Sequence, residues 1–192
     1  RWFAAPPAEP FGVVLCGQTP LFGAKQLFCC EELPEFVMGV EICQDLWSPL
    51  PPSTLLVLNG AEVIVNLSAS NELAGKREYR RELVKHQSAA LDCVYAYCSA
   101  GYTESTQDLV FSGHSLIAET GTILAENKDA IDTDYLLIQD CDLGRLRAER
   151  RKNATFRNCA QRYAGGMLTA VGGSDTLRSD GSMYPLLKLP FI

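Results

Sequence analysis

Apolar residues along this chain come mostly in short runs separated by glycine, proline and polar clusters, with one longer stretch at helical spacing. Residues 36–42 (Phe-Val-Met-Gly-Val-Glu-Ile) are mostly apolar and partly β-branched, which predicts a buried strand ending at Cys43. A proline-rich segment follows, where Ser53 is placed to cap a short helix with Leu55, Leu56 and Leu58 on its inner face until Gly60 stops it. Residues 62–67 read as the next buried strand. Two parallel strands joined by a helix make a βαβ unit, and its second strand runs into Ser68-Ala69-Ser70 beside Cys43.

From Gly75 to Leu91 the period changes to that of a helix, with Arg80, Leu83, Val84, Gln87, Ala90 and Leu91 on one side and charges of both signs on the other. Residues 93–99 predict a third strand, and 101–108 a polar loop. Residues 109–111, 114–119 and 122–126 predict antiparallel strands turning at Gly113 and Gly121. Residues 135–141 read as a last strand and 143–152 as a short charged helix. Ahead of the βαβ unit, 4–10 is a proline-rich loop, and 11–16 and 26–30 predict two strands near the sheet edge. Beyond Asn153 no clear period is present, and glycine pairs at 165–166 and 172–173 suggest surface wrapping or a linker.

The 192 residues fit one α/β domain large enough to bury a core without disulfides. Its eight cysteines form no CxxC pair and several lie inside apolar runs, which favours a reduced, cytoplasmic setting. The net charge of −6 opposes nucleic-acid or anionic-membrane binding, and no apolar run is long enough to span a bilayer. With His86 and His114 outside any ligand spacing, no zinc site is expected. Arg1-Trp2-Phe3 leads into prolines rather than a signal peptide's apolar core, and the opening reads as the middle of a longer polypeptide. Cys43 stands out because ligands of open α/β sheets gather at strand C-terminal ends. It is a candidate nucleophile, the alternative being a small packed apolar residue.

Four pieces, in order, carry a resemblance: Val40-Glu41-Ile42-Cys43-Gln44-Asp45-Leu46-Trp47, Asn66-Leu67-Ser68-Ala69-Ser70, Gly75-Lys76-Arg77 and Phe111-Ser112-Gly113-His114-Ser115. Together they resemble the carbon-nitrogen hydrolase (nitrilase) superfamily, and within it they are most similar to the glutaminase domains of glutamine-dependent NAD synthetases. The resemblance covers most of the chain. It implies a nitrilase-like α-β-β-α sandwich with the N-terminal part of the domain missing. Residues 1–152 are then a partial glutaminase domain and 153–192 an extended wrapping segment or connector toward an absent synthetase domain.

The implied chemistry is attack of the Cys43 thiolate on the side-chain amide of glutamine, giving a thioester and ammonia. The backbone N–H of Gln44 is placed in sequence to meet the oxyanion. Ser70 and Lys76 match substrate-binding positions, and a lysine at a helix N-terminus offers a carboxylate both a cation and a dipole. Without the resemblance, Lys76 reads as a solvated lysine and Ser70 as a cap or turn residue. The family's glutamate base and lysine precede the piece that Arg1-Trp2-Phe3 matches. Both are therefore expected upstream, and this chain by itself is expected to be hydrolytically inactive. Glu9 and Lys25 lie in no family motif and receive no role; Glu104 lies in a loop the family carries near its active site.

Residues 171–176 faintly resemble a pyrophosphate-binding loop but read as coil, and 185–192 as the connector. No cofactor is expected in this domain, ATP and magnesium belonging to the synthetase domain. The expected partners are glutamine, that synthetase domain on the same polypeptide, and further copies of the chain. Two other readings remain open: an amidase acting on another amide, and a catalytically silent scaffold that contributes an oligomer interface.

Overall fold

A computed structural model describes residues 4, 6–30, 33, 36–105, 108–127 and 135–165, and the backbone of 169–173. Residues 1–3, 174–176 and 185–192, read above from sequence, lie outside the described residues. The centre is a seven-stranded sheet in the order β8-β7-β6-β5-β4-β3-β9. Its strands are β3 (Gln26–Cys30), β4 (Val37–Ile42), β5 (Val63–Ser68), β6 (Val94–Ser99), β7 (Leu116–Glu119), β8 (Thr122–Glu126) and β9 (Thr169–Gly173). β4, β5 and β6 are mutually parallel, while β3 joins β4 and β7 joins β6 antiparallel. The βαβ unit is therefore present, with α1 (Pro52–Leu58) between β4 and β5 and α2 (Lys76–Ala90) between β5 and β6.

The register places Leu27, Gly39, Ile64, Tyr95 and Ala118 in one row across the sheet, and Glu41, Asn66, Tyr97 and Leu116 in the next. These rows face the helices, and most of the buried core (Leu46, Leu56, Val57, Ile64, Val84, Tyr95, Leu116) lies between them. Gly39 lets α1 approach closely: a Cβ there would lie 3.0 Å from both Ile64 Cδ1 and Leu56 Cδ1. On the opposite face, alternation leaves Ile42 and Leu67 exposed at 62% and 57%. Strands that read as buried runs are thus covered by helices on one face among the described residues.

Several expectations are corrected. Ser53 is not the cap of α1; that position is Pro51, and Ser53 is buried in the first turn, donating its N–H to Glu41 Oε2 (2.8 Å) and accepting from Gln87 Nε2 (3.0 Å). Its buried residues are Ser53, Leu56 and Val57, with Leu55 and Leu58 half-buried. α2 is rotated slightly from its predicted face, so that Ala90 is exposed and Ser88 buried. The Ser88 hydroxyl donates to Cys93 O (2.8 Å) and accepts from Gly121 N (3.2 Å), tying two turns together.

Residues 11–16 do not join the sheet. β1 (Phe11–Gly12) and β2 (Leu21–Phe22) form a separate antiparallel ribbon. Of 109–111, Phe111 alone makes a bridge, to Asn71. Residues 135–141 are not a strand; their composition favours extended backbone, but among the described residues no strand pairs with it, and Leu136 and Ile138 are exposed. α3 (Leu143–Lys152) forms as expected, whereas the reading of no period beyond Asn153 is corrected by α4 (Ala154–Tyr163). Asn153 caps α4 by accepting from Phe156 N (3.0 Å). β9 then extends the sheet parallel to β3, where coil was expected.

Candidate active site

β4 ends at Ile42, and the chain turns at once into a 3-10 helix over Cys43–Trp47. The turn requires Cys43 to adopt φ +49°, left-handed backbone that a non-glycine residue occupies at a cost of about 1–3 kcal/mol. Asn66, fully buried on the neighbouring strand, holds that conformation from both sides. Its Oδ1 accepts the Cys43 N–H (3.0 Å), and its Nδ2 donates to Cys43 O (3.4 Å) and to the Tyr95 phenol (3.1 Å). Tyr95 donates to Glu41 Oε1, whose other oxygen holds the first turn of α1. Burial and the Glu41 charge raise the Tyr95 pKa, so the phenol stays a donor. A hydrogen-bonded layer of Glu41, Asn66 and Tyr95 thus lies directly beneath Cys43.

Above it, a cavity of about 310 Å³ is lined by Cys43, Gln44, Trp47, Ala69, Ser70, Asn71 and Lys76. All four residues singled out from sequence border this one space. The N–H of Gln44 belongs to the first turn of the 3-10 helix, where the helix supplies no acceptor. Lys76 opens α2 after Gly75 in left-handed backbone (φ +77°) and donates from Nζ to Asn71 Oδ1. Ser70 is buried, its N–H bonded to Ser99 Oγ (3.2 Å) and its hydroxyl accepting from Arg80 Nη2 (3.2 Å). Among the described residues, the hydrogen-bond partner of Cys43 Sγ is the Ser68 hydroxyl (3.3 Å), and Tyr97 OH donates to Ser68 Oγ (2.7 Å).

Arg80 anchors a second buried network that sequence reasoning placed on an inner face without a role. It is wholly buried, pairs with Glu72 (3.4 Å), and donates from Nη1 to His114 Nδ1 (2.9 Å). Because a guanidinium only donates, His114 carries its proton on Nε2, which donates to Glu126 Oε1 (2.9 Å). Burial, reinforced by the cations of Arg77 and Arg80, lowers the His114 pKa. Burial alone would raise Glu126, but hydrogen bonds from His114 and Arg81 outweigh it and hold the carboxylate below its ordinary value.

The other cysteines differ in surroundings. Burial pushes Cys93 up to about 12 and Cys141 up to about 11, which disfavours either thiolate. Glu9 and Lys25 are exposed and outside the Cys43 cavity, and Glu104 lines a separate cavity of about 600 Å³ with Ser68 and Tyr97. Asn66, Glu41, Tyr95 and Tyr97 were not singled out from sequence. The available signal was a polar residue interrupting each apolar strand, Glu41 in β4 and Asn66 in β5. Among the described residues no three His, Cys, Asp or Glu side chains group to hold a metal ion, and no helix is long and apolar enough to cross a membrane.

A cysteine on a strained turn at the end of a parallel strand, with hydrogen-bond donors around one cavity, is the layout of a thiol-dependent α/β hydrolase. The chain belongs to the carbon-nitrogen hydrolase family, whose sequence model matches residues 3–151. It is 41% identical over 140 residues to the glutamine-dependent NAD(+) synthetase of Mycobacterium tuberculosis (strain ATCC 25618 / H37Rv), covering 73% of this chain and 21% of that protein. With the corresponding Mycobacterium leprae (strain TN) protein it shares 40% identity over 144 residues, covering 74% and 21%. The chain thus spans about a fifth of the length of these relatives.

Among solved structures, the glutamine-dependent NAD(+) synthetase from Cytophaga hutchinsonii superposes with a TM-score of 0.53 at 26% identity, over 65% of this chain and 19% of that one. Saccharomyces cerevisiae Nit3, of the nitrilase superfamily, shares the fold with a TM-score of 0.52 at 21% identity, over 62% of this chain and 42% of Nit3. The expected nitrilase-like α/β fold is the one observed.

Proposed function

We propose that this chain is the glutamine amidohydrolase part of a glutamine-dependent NAD synthetase. The carrying observation is that Cys43, Gln44, Ser70 and Lys76 border one cavity, in a chain 41% identical to such a synthetase over 140 residues. The Cys43 thiolate attacks the side-chain amide carbon; the carbonyl π pair moves onto oxygen, and the Gln44 N–H donates to that oxyanion. As the intermediate collapses, the proton that the Cys43 thiol gave up is delivered to the amide nitrogen, so that ammonia leaves and a thioester remains, which water cleaves to glutamate and the free thiol. Lys76 meets the substrate's α-carboxylate at the start of α2, and Ser70 offers it a hydroxyl. The cavity of about 310 Å³ is at the small end for ligand pockets, in keeping with a free amino acid.

The ammonia serves amidation of deamido-NAD by a synthetase domain of the same polypeptide, which requires ATP and magnesium; the thioester chemistry here needs neither. The protein acts in the cytoplasm as a homo-oligomer. The test is ammonia release from glutamine by the full-length protein, with and without ATP and deamido-NAD. Stimulation by both, and loss of release in Cys43→Ala, is expected. Release that ignores deamido-NAD points to an amidase of other purpose, and no release together with no adduct at Cys43 from a glutamine-like diazoketone points to a silent scaffold.

A further inference from the structure

We propose that Ser68 is a catalytic residue: its hydroxyl donates a hydrogen bond to the Cys43 sulfur in the thiolate state, and Tyr97 fixes the direction of that bond. The inference rests on the reading of Cys43 as the nucleophile. Ser68 is the last residue of β5, in the row that continues toward the site beyond Asn66, and its Oγ lies 3.3 Å from Cys43 Sγ. Two orientations are open to a hydroxyl between a thiol and a phenol. The thiol could donate to Ser68 and Ser68 to Tyr97, or Tyr97 to Ser68 and Ser68 to sulfur.

The Tyr97 O–H lies 2.7 Å from Ser68 Oγ, and the ring is 2% exposed. Burial holds the phenol above its ordinary pKa, so it keeps its proton, and it hydrogen-bonds both Ser68 and Ser70; a thiolate at Cys43 can only accept, which takes the Ser68 hydrogen and leaves Ser68 Oγ to accept from Tyr97. With one lone pair of Ser68 taken, its single hydrogen points at sulfur, and a thiolate can only accept it. The ring has little freedom to leave this position, since it packs 6.5 Å from the Trp47 ring, on the same 3-10 helix that Cys43 opens. The consequence is a fixed dipole aimed at the one atom that carries charge before attack. As the sulfur lone pair forms the C–S bond, the charge passes to the amide oxygen and the interaction with Ser68 weakens, while that with the Gln44 N–H grows. Tyr97 is a positioning residue that acts through Ser68.

The experiment measures iodoacetamide labelling of Cys43 by peptide mass spectrometry across pH in the full-length protein, with exposed Cys16 as internal reference. Ser68→Ala is expected to slow Cys43 labelling at neutral pH about tenfold, the loss of one hydrogen bond to an anionic acceptor, while Cys16 is unchanged. At a pH high enough to ionise any thiol the rates converge. Tyr97→Phe slows it by a smaller factor, and Ser68→Thr, which keeps the hydroxyl, restores it to within about twofold. Superimposable pH profiles for wild type, Ser68→Ala and Tyr97→Phe overturn the assignment even if glutamine is hydrolysed. Conversely, the expected profiles in a protein that does not hydrolyse glutamine sustain the Ser68 assignment and remove the proposed function instead.

Discussion

Replacing Asn66 with leucine keeps the side chain's branched shape while deleting the acceptor and the donor that hold Cys43 in left-handed backbone. The Cys43 N–H loses its partner in a partly buried place, at about 1–3 kcal/mol, and the Tyr95 phenol loses one donated bond, at about 0.5–1.5 kcal/mol. The sum is a destabilisation of about 1.5–4.5 kcal/mol, or a fall in Tm of roughly 3–18 °C for a domain of this size. Without its clamp, Cys43 relaxes out of the strained turn, and a displacement on the order of 1 Å at the proposed nucleophile should lower kcat about a hundredfold. Urea unfolding followed by the fluorescence of Trp47, which packs against Tyr79 and Tyr97, reads the first effect; ammonia release by the full-length protein reads the second. A leucine variant within about 0.5 kcal/mol of wild type, with kcat unchanged, refutes the claim that Asn66 maintains the turn.

Other consequences concern regions away from the turn. His114 is held below its ordinary value of 6.5, so just beneath that pH the unfolded chain binds a proton that the folded chain refuses. Its contribution to stability is complete above that value and is lost as pH falls toward the folded-state value; Glu126, also lowered, acts with the same sign at lower pH. Unfolding midpoints measured from about pH 8 to about pH 4 should decline more gently in His114→Gln, and a profile identical to wild type contradicts the assignment. Arg150 donates to the carbonyls of Asp92 and Ala61 (both 2.9 Å) and lies 5.1 Å from the Phe156 ring centroid. Arg150→Ala should cost about 2–4 kcal/mol and speed amide exchange first in α3 and α4; unchanged protection there counts against that anchoring.

Local patterning decided more of this protein than its polar interior would suggest. Strand and helix periods, which depend on neighbours within a few residues, were enough to predict β4, β5, α2, β6 and the β7–β8 hairpin, and to put Cys43 at a strand end. The parallel βαβ arrangement followed from connection length, and with it the approach of Ser68-Ala69-Ser70 to Cys43. α4 was written in the sequence too, as Phe156, Cys159, Ala160 and Tyr163 at helical spacing, but polar neighbours dilute that stripe and it packs only partly. Residues 135–141 show the opposite case, a strand-like composition whose outcome depended on a partner edge that did not meet it.

What the tertiary structure alone decided is where hydrogen bonds go. Asn66 reaches Cys43 across 23 positions, Tyr95 reaches Glu41 across 54, and Arg80 meets His114 across 34. Hydrophobic burial is nondirectional and leaves a periodic trace along the chain, whereas a hydrogen bond needs two particular atoms within about 3 Å at a set angle. No local pattern records that meeting. The strained turn at Cys43 and the tautomer of His114 therefore come into being only once the sheet has brought β4, β5, β6 and α2 into register.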